Sequence, residues 1–421
     1  MCQERYGCFG GVITTVGMET LGWYRYEGTN DSEGIGREME RVAQRMGGST
    51  KWPYNDSECL DAEQFKLIAD TLLTEAGVRP RLHTLVVDAI VDGGAIRGVL
   101  VESKSGREAI LADRVIDCSG DADVAFHAGA RFTALDKGQR MGCTAVFNVA
   151  GVDRPRFLAH VADNPSTYKD WDGDWDQETT GKEKHLNTPY LGKEFERAAA
   201  DGVIPDRSGS GGEGGGGNNV SLNGSWSALS EAGEATNLNL VHLRGYDCTD
   251  AEDLTKAEMQ GRREVQHALK ALRHALPGFE RAKLRNYGMT LGTRDSRKIV
   301  GRHNLVAEDV CMQGRFADSI GIFPEFIDGY NILILPTTGR YFQVPLGCMV
   351  SPDVDNLLVA GRCVAGDMVS HAAMRNMMAC TVTGQGAGVA AAVSVRRSEN
   401  TSAVDIAAVQ AELVRQGARI A

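Results

Sequence analysis

The order of apolar and polar positions divides the chain into a few strongly patterned elements joined by weaker stretches. Residues 1–25 are apolar and glycine-rich and read as a loop entering a helix. Between Asp61 and Ala76, the residues Phe65, Leu67, Ile68, Leu72 and Leu73 recur at helical spacing, and Gly77 supplies a stop. Three β-rich runs follow: Arg81–Asp88, then Ala89–Asp92 continuing past Gly93 and Gly94 into Ile96–Glu102, then Glu108–Ile116. Turn residues at Asp92-Gly93-Gly94 and Lys104-Ser105-Gly106 make these runs a predicted antiparallel meander. Val115–Gly120 reads as a buried strand breaking into a glycine turn.

The pattern weakens from about 150 to 245, where Asp170–Asp176 and Ser208–Asn219 read as long loops. Leu254–Leu276 is then a strong amphipathic helix closed by Pro277-Gly278. Past a mixed stretch, Asn356–Ala360 predicts a short apolar strand and Met374–Val393 a helix of small residues. No apolar run approaches the ~20 residues that a transmembrane helix needs. The charged opening, Met1 to Arg5, does not read as a signal peptide.

Composition narrows the class. At ~150 residues per domain, 421 residues suggest two or three units. A formal net charge of −11 without a clustered Lys/Arg stripe argues against nucleic acid or an anionic membrane as partner. Ten cysteines stand singly, without CxxC or paired spacing, so neither a metal site nor a disulfide framework is expected. Reduced thiols in a cytoplasmic protein are the economical reading. Glycine is the outlier, 50 residues, or about 12% against a usual ~7%. Part of that surplus is the tract at 212–217, which formally satisfies GxGxxG. No strand pattern precedes it and no helix pattern follows, so it reads as a loop.

Three better-placed glycine segments carry candidate chemistry. The first is Glu4-Arg5-Tyr6-Gly7-Cys8-Phe9-Gly10-Gly11, followed by Thr14. A carboxylate just after a strand can accept ribose hydroxyls, and the glycines admit a phosphate or ring; an exposed Glu–Arg pair before a loop remains the plainer alternative. The second is Ile116 to Asp123, whose Cys118-Ser119-Gly120 turn offers free N–H groups, or simply turns the strand into a helix capped by Asp121 or Asp123. The third is Asn356 to Arg362, with His371, Arg375 and the Thr383-Gly384-Gln385-Gly386 run beyond it.

Together these segments resemble the FAD-dependent oxidoreductases of the glutathione-reductase-like class, with two dinucleotide-binding domains. The first is similar to the family's E-(R/K)-x-G-x-x-G-G loop, the second to its I-D-A-T-G-D-x-D strand end. Leu291 to Gly301 is similar to G-x-R-E-(S/T)-R-R-I-x-G, and Asn356 to Arg362 reproduces N-L-L-V-A-G-R as it stands.

The resemblance implies an α/β fold, a Rossmann-like FAD-binding domain with a three-stranded β-meander, interleaved with an α+β substrate domain. The expected boundaries are 1–140 and 346–421 for the FAD-binding parts and 141–345 for the substrate part. It further implies that Glu4 binds the adenosine ribose, that Arg5 and Val86 lie by the adenine, and that Gly10, Gly11 and Thr14 line the pyrophosphate and ring. Cys118, Ser119, Gly120 and Asp123 would pack on the AMP half. Gly361 and Arg362 would approach the pyrophosphate and ribityl chain, and Gln385 and Gly386 the pyrimidine end. His371 is the candidate acid or base, since histidine titrates near neutrality, with a satisfied core histidine as the plainer alternative. Arg294 and Arg375 are candidates for holding a carboxylate or an anionic flavin. The implied activity is hydride transfer between flavin and a small organic substrate, as a dehydrogenase or reductase; a homo-oligomer is compatible with the sequence. The family's opening strand and GxGxxG helix do not precede Glu4 here. A truncated or partner-dependent chain with weak or no FAD binding is therefore the alternative expectation.

Overall fold

The computed structural model describes residues 1–22, 31–51, 58–163, 176–178, 191–206, 220–225, 228–330, 332–334 and 339–421. The glycine tract at 208–219 and nearly all of the stretch from Asp170 to Asp176 lie outside them. The fold is mixed α/β, organised around two hydrophobic cores.

Strand Cys2–Gln3 lies parallel to Pro80–Arg81, Cys2 opposite Pro80. Helix Ala62–Glu75 precedes the second of these strands, and its cap is written in the sequence. Asp61 accepts the Glu63 and Gln64 N–H groups, buried Phe65 and Ile68 give the inner face, and Gly77 takes φ +68° beyond the last turn. A second parallel pair joins Val115–Asp117 to Leu357–Val359, with Leu358 opposite Ile116 across 242 positions of sequence. Strands Leu85–Asp92, Ala95–Ser103 and Gly106–Leu111 pair antiparallel in that order. Gly93 at φ +57° and Gly94 at φ +78° make the left-handed turn between the first two.

Helix Met377–Arg396 closes the first core, which runs from Phe9 to Ala130 and resumes from Ile299 to Leu413. It is long and apolar enough to cross a membrane by length and composition, but most of that stretch is buried inside the protein. A Cβ on Gly386 would lie 2.6 Å from Ile320, so small residues are what let this helix sit against strand Ser319–Pro324.

The second core spans Cys143 to Leu291. Strand Glu234–Leu243 is its hub, pairing with Cys143–Thr144, Phe147–Ala150, Val220–Ser225 and Ala228–Leu229. Helix Ala251–Ala275 buries Ala257, Gly261, Val265, Ala268 and Leu272 against that sheet, with Asp250 accepting the Asp253 N–H at its start. The expected end of the middle segment at 345 falls inside the first core. Ile299, Phe323, Phe342 and Val344 pack there: strand Ser319–Pro324 lies against helix Met377–Arg396 and pairs with Tyr341–Pro345.

The cores meet tightly. A Cβ on Gly288 would lie 2.4 Å from the Val16 carbonyl, and the Thr15 carbonyl accepts the Met289 N–H at 2.6 Å. Buried Glu19 bridges the junction, accepting the Thr236 hydroxyl at 2.5 Å and the Ala62 N–H at 3.4 Å. Burial pushes its carboxyl up to about 7, against the downward pull of those two donors. A raised folded value favours the protonated acid, so the stability it adds is complete below about 4.3 and is lost as pH rises through 7. Urea melts of Glu19→Gln should therefore match wild type near pH 4.5 and gain up to about 3 kcal/mol on it at pH 8. A difference that does not change with pH would refute this assignment.

Candidate functional site

The ends of the parallel strands supply the first half of the site. Glu4 leaves its strand with its N–H on the Arg81 carbonyl and its own carbonyl accepting the Thr84 N–H. Its Oε1 accepts the Tyr6 N–H at 3.0 Å, which fixes the carboxylate at the mouth of the loop. Arg5 is exposed and stacks over the Tyr6 ring at 4.9 Å; burial and Asp121 raise the Asp123 carboxyl, against the opposing pull of Arg297 and Arg5. Gly10 at φ +114° and Gly11 at φ +55° turn the chain into helix Val12–Val16. A Cβ on Gly10 would strike Thr14, whereas one on Gly11 would face open space. Thr14 is buried, its hydroxyl donating to the Phe9 carbonyl at 2.7 Å. Val86 lies one strand away, opposite Val101, in the segment that follows the Thr84–Glu4 bond.

The second strand end is organised by Asp117, fully buried, which accepts the N–H groups of Ser119 and Ala125, each at 2.9 Å. Ser119 in turn accepts the Asp123 N–H, and Gly120 takes φ +80° beneath Arg362. A Cβ on Gly120 would lie 2.7 Å from the Arg362 guanidinium. Cys118 is exposed at this edge. Asp121 is the hub: its Oδ1 accepts the Ser296 hydroxyl at 2.6 Å and Arg362 Nη2 at 3.0 Å. Its carbonyl accepts Arg297 Nε at 2.9 Å, and Arg297 also pairs with Asp123. Burial works against the Arg362 charge, but Asp121 outweighs it and raises that group above its ordinary value. Arg362 Nη1 is buried with no partner. Gly361 at φ +86° donates its N–H to Thr383 at 2.9 Å.

A third group gathers around Arg294. Its Nη1 donates to the Gly142 carbonyl at 3.1 Å and lies 3.2 Å from His242 Nδ1, while Nη2 donates to Asn239 at 3.3 Å. Burial, and then Arg375, pull Arg294 down to about 10, so it stays charged at neutral pH. Arg375 pairs with Asp328 at 2.8 Å. Buried Asp295 sits below, accepting Lys298 at 2.7 Å and the Tyr330 hydroxyl at 2.5 Å. Burial raises its carboxyl, but His371 and Lys298 more than reverse this.

His371 caps this group, with Nε2 on the Arg294 carbonyl at 2.9 Å and Nδ1 buried without a partner. Burial and Lys298 push its imidazole down to about 3, against the opposing pull of Asp295. It is thus held neutral, with Nε2 as the protonated nitrogen, and it orients Arg294. Gln385 and Gly386 lie more than two turns inside the helix that begins at Met377. The Gln385 side chain accepts the Ile35 N–H and donates to Gln416. Residues without a motif complete the arrangement: Asn239, His242, Arg244, and the hydrogen-bonded thiols Cys143 and Cys248. The cysteines stand 105 positions apart in sequence, and only strand pairing brings them together.

Nuclear magnetic resonance of the histidine rings tests the charge state. The resonances lost in His371→Gln should not titrate between pH 5 and 8 in the wild type. A midpoint near 6.5 for those signals would show that His371 is free to act as an acid near neutrality.

The residues present fit a dinucleotide carrying a pyrophosphate. The Arg362 nitrogen is buried and unpaired, the Gly11 face is open, and a carboxylate stands at the strand end. Among solved structures, the chain is similar to a geranylgeranyl bacteriochlorophyll reductase-like protein of Thermoplasma acidophilum, with TM-score 0.40 and 11% identity over 88% of this chain and 63% of that one. It is also similar to the p-nitrophenol 4-monooxygenase of Pseudomonas putida, with TM-score 0.37 and 10% identity over 86% and 60%. A third is a myxobacterial chondrochloren halogenase, with TM-score 0.41 and 9% identity over 98% and 78%. The chain thus spans less than two thirds of the first two proteins, and likenesses this distant say nothing of its chemistry. No curated protein matches it. The sequence matches the family described as FAD dependent oxidoreductase over residues 3–413, nearly its whole length. The chain belongs to the FAD dependent oxidoreductase family, a family of enzymes whose cofactor is FAD.

Proposed function

We propose that this protein is an FAD-dependent oxidoreductase, a dehydrogenase or reductase exchanging a hydride with a small organic substrate. When bound, FAD supplies the two-electron chemistry, and the chain's residues bind, orient and exclude water. The observation that carries the reading is Arg362. This cation is held by Asp121 through one nitrogen and leaves the other buried and unpaired at a glycine turn.

Glu4 offers Oε2 to the ribose hydroxyls, with Arg5 and Val86 flanking the adenine. Cys118, Ser119 and Gly120 form the floor under the AMP half, their turn fixed by Asp117. Gly10, Gly11, Thr14 and Gly361 leave backbone surface for the pyrophosphate and ring, and Arg362 meets the negative charge. Gln385 and Gly386 reach the far end only through the helix wall, so their part is to shape it. His371 acts as a positioning residue, fixing the backbone of Arg294 by its Nε2–H. Ten free thiols are in keeping with a cytoplasmic location, which we include in the proposal.

The purified protein should carry, or be reconstituted with, one FAD, absorbing near ~450 nm as the bound cofactor does. Glu4→Ala should fold as wild type and bind FAD about tenfold more weakly, the loss of a hydrogen bond to a charged acceptor. A colourless protein that cannot be loaded would contradict the reading and favour a partner-dependent chain.

A further inference from the structure

Among the described residues, Arg294 hydrogen-bonds neutral partners, the Gly142 carbonyl, His242 and the Asn239 amide, and the charge of Asp328 reaches it from its pair with Arg375. Arg244 packs beside it: a Cβ on Gly142 would lie 3.1 Å from the Arg244 side chain. Arg375 stands close enough for its charge to act on Arg294. Among the described residues, Asp328 is the carboxylate paired within this trio, and it is taken by Arg375.

Several polar atoms here are buried and unpartnered. They are Arg244 Nη1, Arg375 Nε and the Thr144 hydroxyl. The Arg375 side chain is only 11% exposed. Thr144 pairs directly with His242 across the strands, which places both side chains on one face of the sheet. Strands Cys143–Thr144 and Glu234–Leu243, the 291–298 segment and helix Met368–Met374 therefore converge on one spot. Buried donors without acceptors and cations without counter-ions are costly, and a native protein retains them where a ligand completes them.

We propose that Arg244, Arg294 and Arg375 form the recognition site for a carboxylate, so that the substrate is a small organic acid. As a statement about substrate, this rests on the oxidoreductase reading; as a binding site, it stands on the cluster alone. Guanidinium forks match the planar carboxylate by paired N–H···O bonds, which a neutral amide cannot replace. Arg294 is the fixed member, braced by Gly142, Asn239 and the His371-held backbone. Arg244 and Arg375 supply the free donors, with the Thr144 hydroxyl beside them.

The test is calorimetric titration of the FAD-treated protein with malonate, its neutral analogue malonamide and inorganic phosphate, with flavin content read by absorbance in the same samples. Malonate should bind saturably, malonamide should not, and phosphate should bind at least tenfold more weakly than malonate. Arg244→Gln and Arg294→Gln should each weaken malonate at least tenfold. Arg294→Lys, which keeps the charge, guards against loss by misfolding and should recover part of the affinity. Equal binding of malonamide, variants within twofold of wild type, or no malonate binding at all would overturn the proposal. Phosphate binding as tightly as malonate would overturn the carboxylate assignment. Arginine-dependent malonate binding in a protein without flavin would sustain the site while the FAD reading fell. Flavin bound without malonate binding would do the reverse.

Discussion

The Asp121 carboxylate is the point on which the site depends. It is buried, and through one oxygen it holds Ser296 and Arg362, residues 175 and 241 positions away. Its backbone carbonyl holds Arg297 as well. The turn after Val115–Asp117, the Arg294–Lys298 segment and the turn after Leu357–Val359 are thereby locked together. Breaking a buried pair of this kind typically costs about 3–5 kcal/mol, because the partner charge is stranded. Asp117, Asp121 and Asp123 crowd the same turn, and the two arginines Arg297 and Arg362 make that density of carboxylates tolerable.

From this lock the two halves of the site follow. On one side, glycines with left-handed backbone and an unpaired guanidinium nitrogen suit a negatively charged nucleotide. On the other, neutral His371 holds the Arg294 backbone, while Lys298 balances the Asp295 charge beside it. The contact of Gly288 with the Val16 backbone sets how closely the second core approaches the first. That closeness is what brings strand Glu234–Leu243 to Arg294.

Parts of the fold were legible in the sequence because they are local. The Gly77 stop, the Gly93-Gly94 turn and the Gly10-Gly11 bend each need a particular residue type at one backbone conformation. Family resemblance added the order of the segments, and the match over 3–413 makes the family plain. What was not legible is what strand pairing and helix packing create. Arg244 and His242 carry no motif, and their meeting with Arg294 depends on the register of Thr144 against His242. Phe323 and Phe342 look alike for either core in sequence, and only the packing places them in the first. For His371 the sequence left an acid or base and a buried core histidine both open; burial holds it neutral.

On the proposed function, Asp121 and Arg362 act on FAD as one unit, Asp121 aiming the arginine nitrogen toward the cofactor. A double-mutant cycle on FAD affinity, measured by flavin fluorescence titration, addresses it directly. Arg362→Met alone should weaken binding about tenfold or more, in line with a lost charge-assisted bond, and Asp121→Asn alone should also weaken it. The double variant should be little worse than Arg362→Met, because Asp121 has no arginine left to aim. Losses that simply add, or an Arg362→Met protein that binds FAD as tightly as wild type, would contradict the account.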